Sequence, residues 1–210
     1  MSIVITPEEL QEACLGMPLF PLPRVVLFPG VLLRLHVFEP RYVQLLTDIR
    51  KGNHMFAIPM LDLQNLEITE PQLYPIAGFG KVVHCEELPN QRYNIVVLGV
   101  GRIHIHEENS SDRLYRVAKG SLLREDAESF DILPLQQLLT QIIIKHPSLS
   151  GSLDALLKES FSTGTFLYML AQLILPSAED KQQFLSTESI HLQGELLSDR
   201  LADLLLYDQN

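Results

Sequence analysis

Residues 19–30, "LFPLPRVVLFPG", constrain the fold of this chain more than any other stretch. They are apolar enough for a core strand, yet Pro21, Pro23 and Pro29 interrupt them. Proline has no backbone N–H and a fixed φ, so central strands and helix interiors exclude it. The segment reads as an edge strand running into a stiff apolar loop. Such a loop needs a partner inside the fold or one outside it.

Two periodicities divide the rest of the chain. Up to about residue 124 the sequence is a series of short β-like runs broken by Gly, Pro and Asn. These are "LLRLHVF" (32–38), "HMFAIPML" (54–61), "GKVVHCEEL" (80–88), "RYNIVVLG" (92–99), "RIHIHEE" (102–108) and "LYRVAKGSLL" (114–123). Their spacing predicts a folded-over or barrel-like antiparallel sheet. One helix near 39–51 interrupts them: Pro40 suits its first turn, Tyr42, Leu45, Leu46 and Ile49 form one apolar stripe, and Gly52 ends it. From residue 125 the pattern is helical, with "LQQLLTQIIIKH", "SLDALLKES", "GTFLYMLAQLIL", "AEDKQQFL" and a last helix from about Thr187. Leu192, Leu196 and Leu201 space one face of that last helix. The expectation is an α+β chain, with a β-rich lobe over 1–124 and an all-helical lobe over 125–210, joined by the charged "REDAES" (124–129).

Composition narrows the function classes. At 210 residues, 46% hydrophobic and 20% charged, the chain has the make-up of an ordinary globular protein. The N-terminus lacks a basic region, and Thr6, Pro7 and Glu9 read as a capped helix start rather than a signal peptide. The uncharged run at 160–178 has an apolar heart over 165–175 only, which is short of the roughly 20 residues a spanning helix needs. It reads as a buried helix, so no membrane is expected. Cys14 and Cys85 suggest neither a disulfide framework nor a zinc site, and a reduced, cytoplasmic setting follows. The formal charge of −10 is uneven: residues 1–123 hold 11 Lys+Arg against 13 Asp+Glu, and residues 124–210 hold 5 against 13. An acidic helical lobe repels phosphate backbones, which disfavours nucleic acid.

No chemical site stands out. His104 and His106 share a strand face and could be half of a metal site, but a solvated face with Arg102 beside them explains the pattern without a metal. Ser177, three residues before Asp180, is a helix N-cap rather than a nucleophile. "GFGKVV" and "GVGRIH" lack phosphate-loop spacing, so Gly78, Gly80, Gly99 and Gly101 read as bulges or tight bends. Glu39, beside Arg41, stabilises the start of the helix near 39–51. No catalytic residue, metal or cofactor is expected.

One block of residues carries a family likeness. "MPLFPLPRVVLFPGVLLRLHVFEPRY" (17–42) resembles the opening signature of the Lon N-terminal domain family, the substrate-recognition region of the Lon proteases. The likeness continues in "GFGKVV" (78–83) and in "LPNQRYNIVVLGVGRIHI" (88–105), where Gly99 or Gly101 with Arg102 stands for the family's G-x-x-R. It returns in "EDKQQFL" (179–185). Asn90-Gln91 replaces the usual Asp-Gly, which predicts a longer or looser hairpin. The sequence contains no Walker A loop and no domain carrying a Ser-Lys dyad. It therefore resembles the stand-alone, bacterial-type Lon N-terminal protein, without ATPase or peptidase activity.

The resemblance implies a lobe similar to the pseudouridine synthase and archaeosine transglycosylase (PUA) domains, followed by helices. It also implies a non-catalytic module that binds unfolded or partly folded polypeptide, with a protease or chaperone as a further partner. Val25, Val26, Leu27 and Phe28, on a loop stiffened by proline, are the candidate peptide-binding residues, beside an extended edge that could pair with a peptide strand. The alternative for these four is that they cover the interface between the lobes. The alternative function is RNA binding through Arg34, Arg92, Arg102, Arg113 and Arg116. The acidic total and the absence of Trp oppose it.

Overall fold

The first helix starts where its cap chemistry places it. In a computed structural model that describes residues 6–62, 71–109, 112–124, 130–147 and 150–207, Thr6 and Glu9 form the reciprocal capping box of α1 (Pro7–Ala13). The chain divides into two compact units, Met1–Arg124 and Glu125–Asn210. The charged joint read at 124–129 lies, after Arg124, outside the described residues.

The first unit holds β1 (Met17–Pro18), β2 (Leu32–Val37), α2 (Pro40–Ile49), β3 (Met55–Ile58), β4 (Leu61–Asp62), β5 (Gln72–Leu73), β6 (Ile76–Leu88), β7 (Arg92–Asn109) and β8 (Val117–Leu123). Six of these strands form one sheet in the order β1-β8-β7-β6-β3, with β2 paired to β7; β4 and β5 form a separate pair. The two runs expected at 92–99 and 102–108 are one continuous strand, β7. Gly99 and Gly101 do not break it, because β6 follows it across both with a register shift at Phe79/Gly80.

The proline-rich segment closes this sheet. Leu19 N–H donates to the Arg116 carbonyl beside β8, while Phe20 N–H donates to Ala57 at 2.8 Å and Leu22 N–H to Pro59 at 3.1 Å on the β3 side. Leu19 and Leu22 bridge Ala57 and Met60 in parallel sense, so β3 is joined back to β1 and the barrel has no gap there. Alternate residues of an extended chain point their N–H groups to opposite sides. Pro21 therefore falls where β3 needs no donor. The edge strand expected within 19–30 is thus a barrel-closing strand, and Pro21 sits where no bond is missed. Its register is held from outside by α2: the Tyr42 hydroxyl donates to the Pro21 carbonyl at 2.9 Å, and the Tyr42 ring stacks on Phe20 with centroids 3.8 Å apart.

Two apolar clusters fill the unit. One gathers the α2 stripe (Tyr42, Leu45, Leu46, Ile49) with Phe20, Leu27, Phe56 and the inward residues of β7. The other joins Cys14, Met17, Leu19 and Phe79 to Ile103 and Ala118.

The second unit is all helix: α3 (Leu133–Lys145), α4 (Ser150–Lys158), α5 (Thr163–Ile174), α6 (Ala178–Ser186) and α7 (Ile190–Tyr207). Ser162 and Ser177 cap α5 and α6 by accepting from Thr165 N–H and Asp180 N–H. α5 buries Phe166, Leu167, Tyr168 and Leu170, as expected of the uncharged run. No helix among the described residues is long and apolar enough to cross a membrane. On α7 the buried face is Ile190, Gln193, Leu197 and Leu201, while Leu192 and Leu196 are exposed. The stripe expected through Leu192 and Leu196 is therefore offset. Gln193 is buried because its amide donates to the Phe184 and Thr187 carbonyls, so a polar residue holds a core position.

Candidate functional site

The four residues expected to meet a peptide lie in a crossing segment rather than a free loop. After the Pro23–Arg24 turn, with Arg24 at φ 53°, residues 25–31 run over β6 and β7. The contact is too close for side chains. A Cβ on Gly78 would lie 2.0 Å from the Leu27 carbonyl oxygen, and one on Gly99 would lie 2.0 Å from that of Phe28. Gly30 N–H donates to the Gly99 carbonyl and Gly99 N–H to the Val31 carbonyl, both at 2.9 Å. These glycines therefore serve close backbone approach rather than bends. Val25 is half-buried, Val26 is 8% exposed, and Leu27 and Phe28 are both 0% exposed. The expectation that all four lie near a surface is corrected. Leu27 joins the core cluster beneath α2, and the far end of the crossing is bonded to β7 through Gly30 and Val31.

The same crossing accounts for Arg102, which is 2% exposed rather than solvent-facing. It pairs with Gly78 in the β6–β7 ladder, on the face that the Leu27 carbonyl covers. His104 is half-buried and His106 exposed, their rings meet edge to face at 4.7 Å, and His106 Nε2 lies 2.9 Å from Ser121 Oγ. Among the described residues no third ligand joins them. Glu39 is the N-cap residue of α2, but its carboxylate accepts from Arg41 instead of the helix backbone. The five arginines considered for RNA do not gather: Arg102 is buried, Arg116 is paired with Glu108, and Arg113 lies over the Tyr115 ring. Nothing supports the RNA reading.

The open surface is on β2. Among the described residues its only strand partner is β7, so its other edge is unpaired. The backbone register identifies the groups left free. Gly99 bonds Val31, so the hydrogen-bonded pairs continue as Leu33–Val97, Leu35–Ile95 and Val37–Tyr93. Leu32, Arg34 and His36 then direct their N–H and C=O groups outward. Their side chains lie on the outer face, while Leu33, Leu35 and Val37 pack toward the core.

On that outer face three rows cross β2, β7 and β6: Leu32–Leu98–Lys81, Arg34–Val96–His84 and His36–Asn94–Glu86. The last row is tied together: Asn94 Nδ2 donates to Glu86 Oε2 at 3.0 Å, and His36 Nδ1 donates to Asn94 Oδ1 at 2.9 Å. That bond fixes the imidazole tautomer and leaves Nε2 facing away from the row. The middle row floors a groove of about 430 Å³. Leu32 and Phe38 bracket the strand at 59% and 60% exposure. In the sequence Arg34 stands out only as an RNA candidate, and His36, His84, Glu86 and Asn94 carry no signal of a shared face. The alternation of "LLRLHV" carried the inner and outer faces, but the free edge belongs to topology.

The comparisons place this geometry in a family. The family model of the ATP-dependent protease La (LON) substrate-binding domain matches residues 16–203. The Lon protease of Cytophaga hutchinsonii is 25% identical over 198 residues, covering 88% of this chain and 24% of that protein. Lon protease 1 of Bacillus subtilis is 24% identical over 190 residues, covering 87% and 24%. The chain thus spans about a quarter of the length of these relatives. The crystal structure of a Lon N-terminal domain protein from Xanthomonas campestris shares the fold with a TM-score of 0.65 at 21% identity, covering 87% of this chain and 96% of that one. The N-terminal domain of Mycobacterium avium complex Lon protease does so with a TM-score of 0.69 at 13% identity, covering 90% and 98%. With the barrel strands, helices α2 to α6 and the glycine-lined crossing all inside the matched span, this chain belongs to the Lon substrate-binding domain family.

Proposed function

We propose that this chain is a non-catalytic recognition module that binds unfolded or partly folded polypeptide by adding it as a strand to the free edge of β2. The observation that carries the reading is that edge: three residues with outward backbone groups, continuous with an exposed face and bracketed by Leu32 and Phe38. Main-chain bonds to an edge supply affinity that is tolerant of sequence, which suits a receptor for unfolded clients. Leu27 and Phe28 act beneath this surface as framework, since neither has area to offer a ligand. A protease or chaperone that takes over the bound polypeptide is the natural further partner, in the cytoplasm, where such clients arise.

Strand addition has a signature. A bound strand uses the N–H groups of alternate residues, so N-methylation along an extended peptide should weaken binding at every second position and leave the others near unmethylated affinity. Fluorescence anisotropy over such a peptide series measures this directly. Uniform sensitivity, or none, removes strand addition as the mode.

A further inference from the structure

We infer that the β2 edge selects extended segments bearing a carboxylate with apolar residues on either side; this rests on the strand-addition reading above. The outer face beside the edge carries two cations, Arg34 and Lys81, against one carboxylate, Glu86, and none of the three is ion-paired among the described residues. Arg34 is exposed and has no hydrogen bond or ion pair among the described residues, and neither Lys81 nor His84 has an acid partner there. The one carboxylate in the three rows, Glu86, is already engaged by Asn94. Burying an edge cation under an incoming strand without a counter-charge loses solvation, whereas an acid directly opposite supplies the missing partner.

The spacing follows from the strand period. Side chains at 32, 34, 36 and 38 share one face, with Leu32 and Phe38 exposed at the ends and the His36 and Phe38 rings 5.9 Å apart. In an antiparallel client strand, a carboxylate opposite Arg34 places an apolar residue opposite Leu32 two positions away. A second apolar residue then meets Phe38 four positions away on the other side. A hydroxyl or amide between them meets His36, whose Nε2 is left free by the bond at Nδ1.

Two labelled peptides of alternating Val and Thr, identical except for Glu or Lys at the position opposite Arg34, test the inference by anisotropy at low salt. The Glu peptide should bind wild type about two- to five-fold more tightly than the Lys peptide, the size of one exposed cross-strand charge pair. Arg34→Gln should erase the preference and Arg34→Glu should invert it, with unchanged melting confirming an intact fold. Equal binding of the two peptides, with the two-residue N-methyl periodicity intact, overturns the charge selection and leaves strand addition standing. Loss of the periodicity removes both. If the edge instead pairs with a second copy of the chain, sedimentation will show a dimer that Leu32→Pro abolishes, which also overturns the inference. Leu32 is an outward-facing position where proline deletes no bond to β7.

Discussion

A carboxylate at position 28 would find no water, since Phe28 is 0% exposed and its own carbonyl is pressed against Gly99. Phe28→Asp should therefore cost several kcal/mol, on the order of 3–5, through lost packing and a desolvated charge. Against the roughly 5–15 kcal/mol that stabilises a typical domain, this brings the variant close to unfolding. Thermal and urea melting check it, and an unchanged midpoint would contradict the burial. Any fall in peptide binding by this variant reports the fold, so the edge must be probed at Arg34 instead. Tyr115 offers a second test at this scale. Burial, and then the bond from its hydroxyl to Asp48 Oδ2 at 2.9 Å, push its pKa up to about 12. The folded value lies above the unfolded one of about 10, so the neutral phenol is favoured in the fold. Its contribution to stability is complete below about pH 10 and is lost as pH rises through 12. Urea melts across that window should fall less steeply for Tyr115→Phe than for wild type. In an absorbance titration the variant should lack one tyrosine that ionises near pH 12 in wild type. Parallel slopes for the two proteins would remove the Asp48 bond from the account.

The β6–β7 hairpin, the longest in the chain, turns in three residues between the paired Leu88 and Arg92. That is one residue longer than a two-residue Asp-Gly turn, in the direction expected from Asn90-Gln91. Asn90 and Gln91 both take left-handed conformations, with φ of 62° and 54°. Asparagine tolerates this region, but glutamine pays a steric penalty there. Gln91→Gly should therefore raise stability by roughly 0.5–1 kcal/mol, read as a higher urea midpoint at constant m-value. A lowered midpoint would mean that the Gln91 side chain holds the turn through a contact of its own. Local chemistry of this kind decided which elements were legible in the sequence. The α2 stripe, the Thr6 box and the Ser177 cap follow from neighbours in sequence, and each stands where it was expected. Gly78 and Gly99 were visible as glycines but not as a crossing, because the carbonyls that require them come from Leu27 and Phe28, some 50 to 70 residues away in the chain. Leu192 and Leu196 misled for a related reason. A periodicity reading assigns leucine to the core, yet on α7 the core position is taken by Gln193, whose amide has carbonyls to bind. The β2 edge was the least legible feature, since being unpaired is a property of the whole sheet.

At the scale of the molecule, the barrel is closed by residues of its own unit. Both of its apolar clusters lie between Leu10 and Leu122, and the bonds that join β1 to β8 and to β3 are all made within 1–124. A unit of this length can bury a core without help. We therefore propose that 1–124 and 125–210 are separable folding domains. Expressed alone, 1–124 should melt cooperatively, with a β-type circular dichroism spectrum and dispersed amide resonances. Because the β2 edge and its three cross-strand rows lie in this unit, the fragment should also keep the two-residue periodicity of N-methyl effects. Charge adds a second expectation. Residues 1–124 hold 12 Lys+Arg against 13 Asp+Glu and are nearly neutral, whereas residues 125–210 hold 4 against 13. The helical unit's field opposes an approaching carboxylate at any orientation within a Debye length, about 30 Å at 0.01 M salt and 8 Å at 0.15 M. The isolated barrel should thus bind the Glu peptide more tightly than the whole chain does at low salt, chiefly through a faster on-rate, and the two should converge as salt is raised. A fragment that fails to melt cooperatively would mean that the barrel depends on the helices for its core. A difference in affinity that persists at high salt would mean that 125–210 contributes contacts to the site and not only charge.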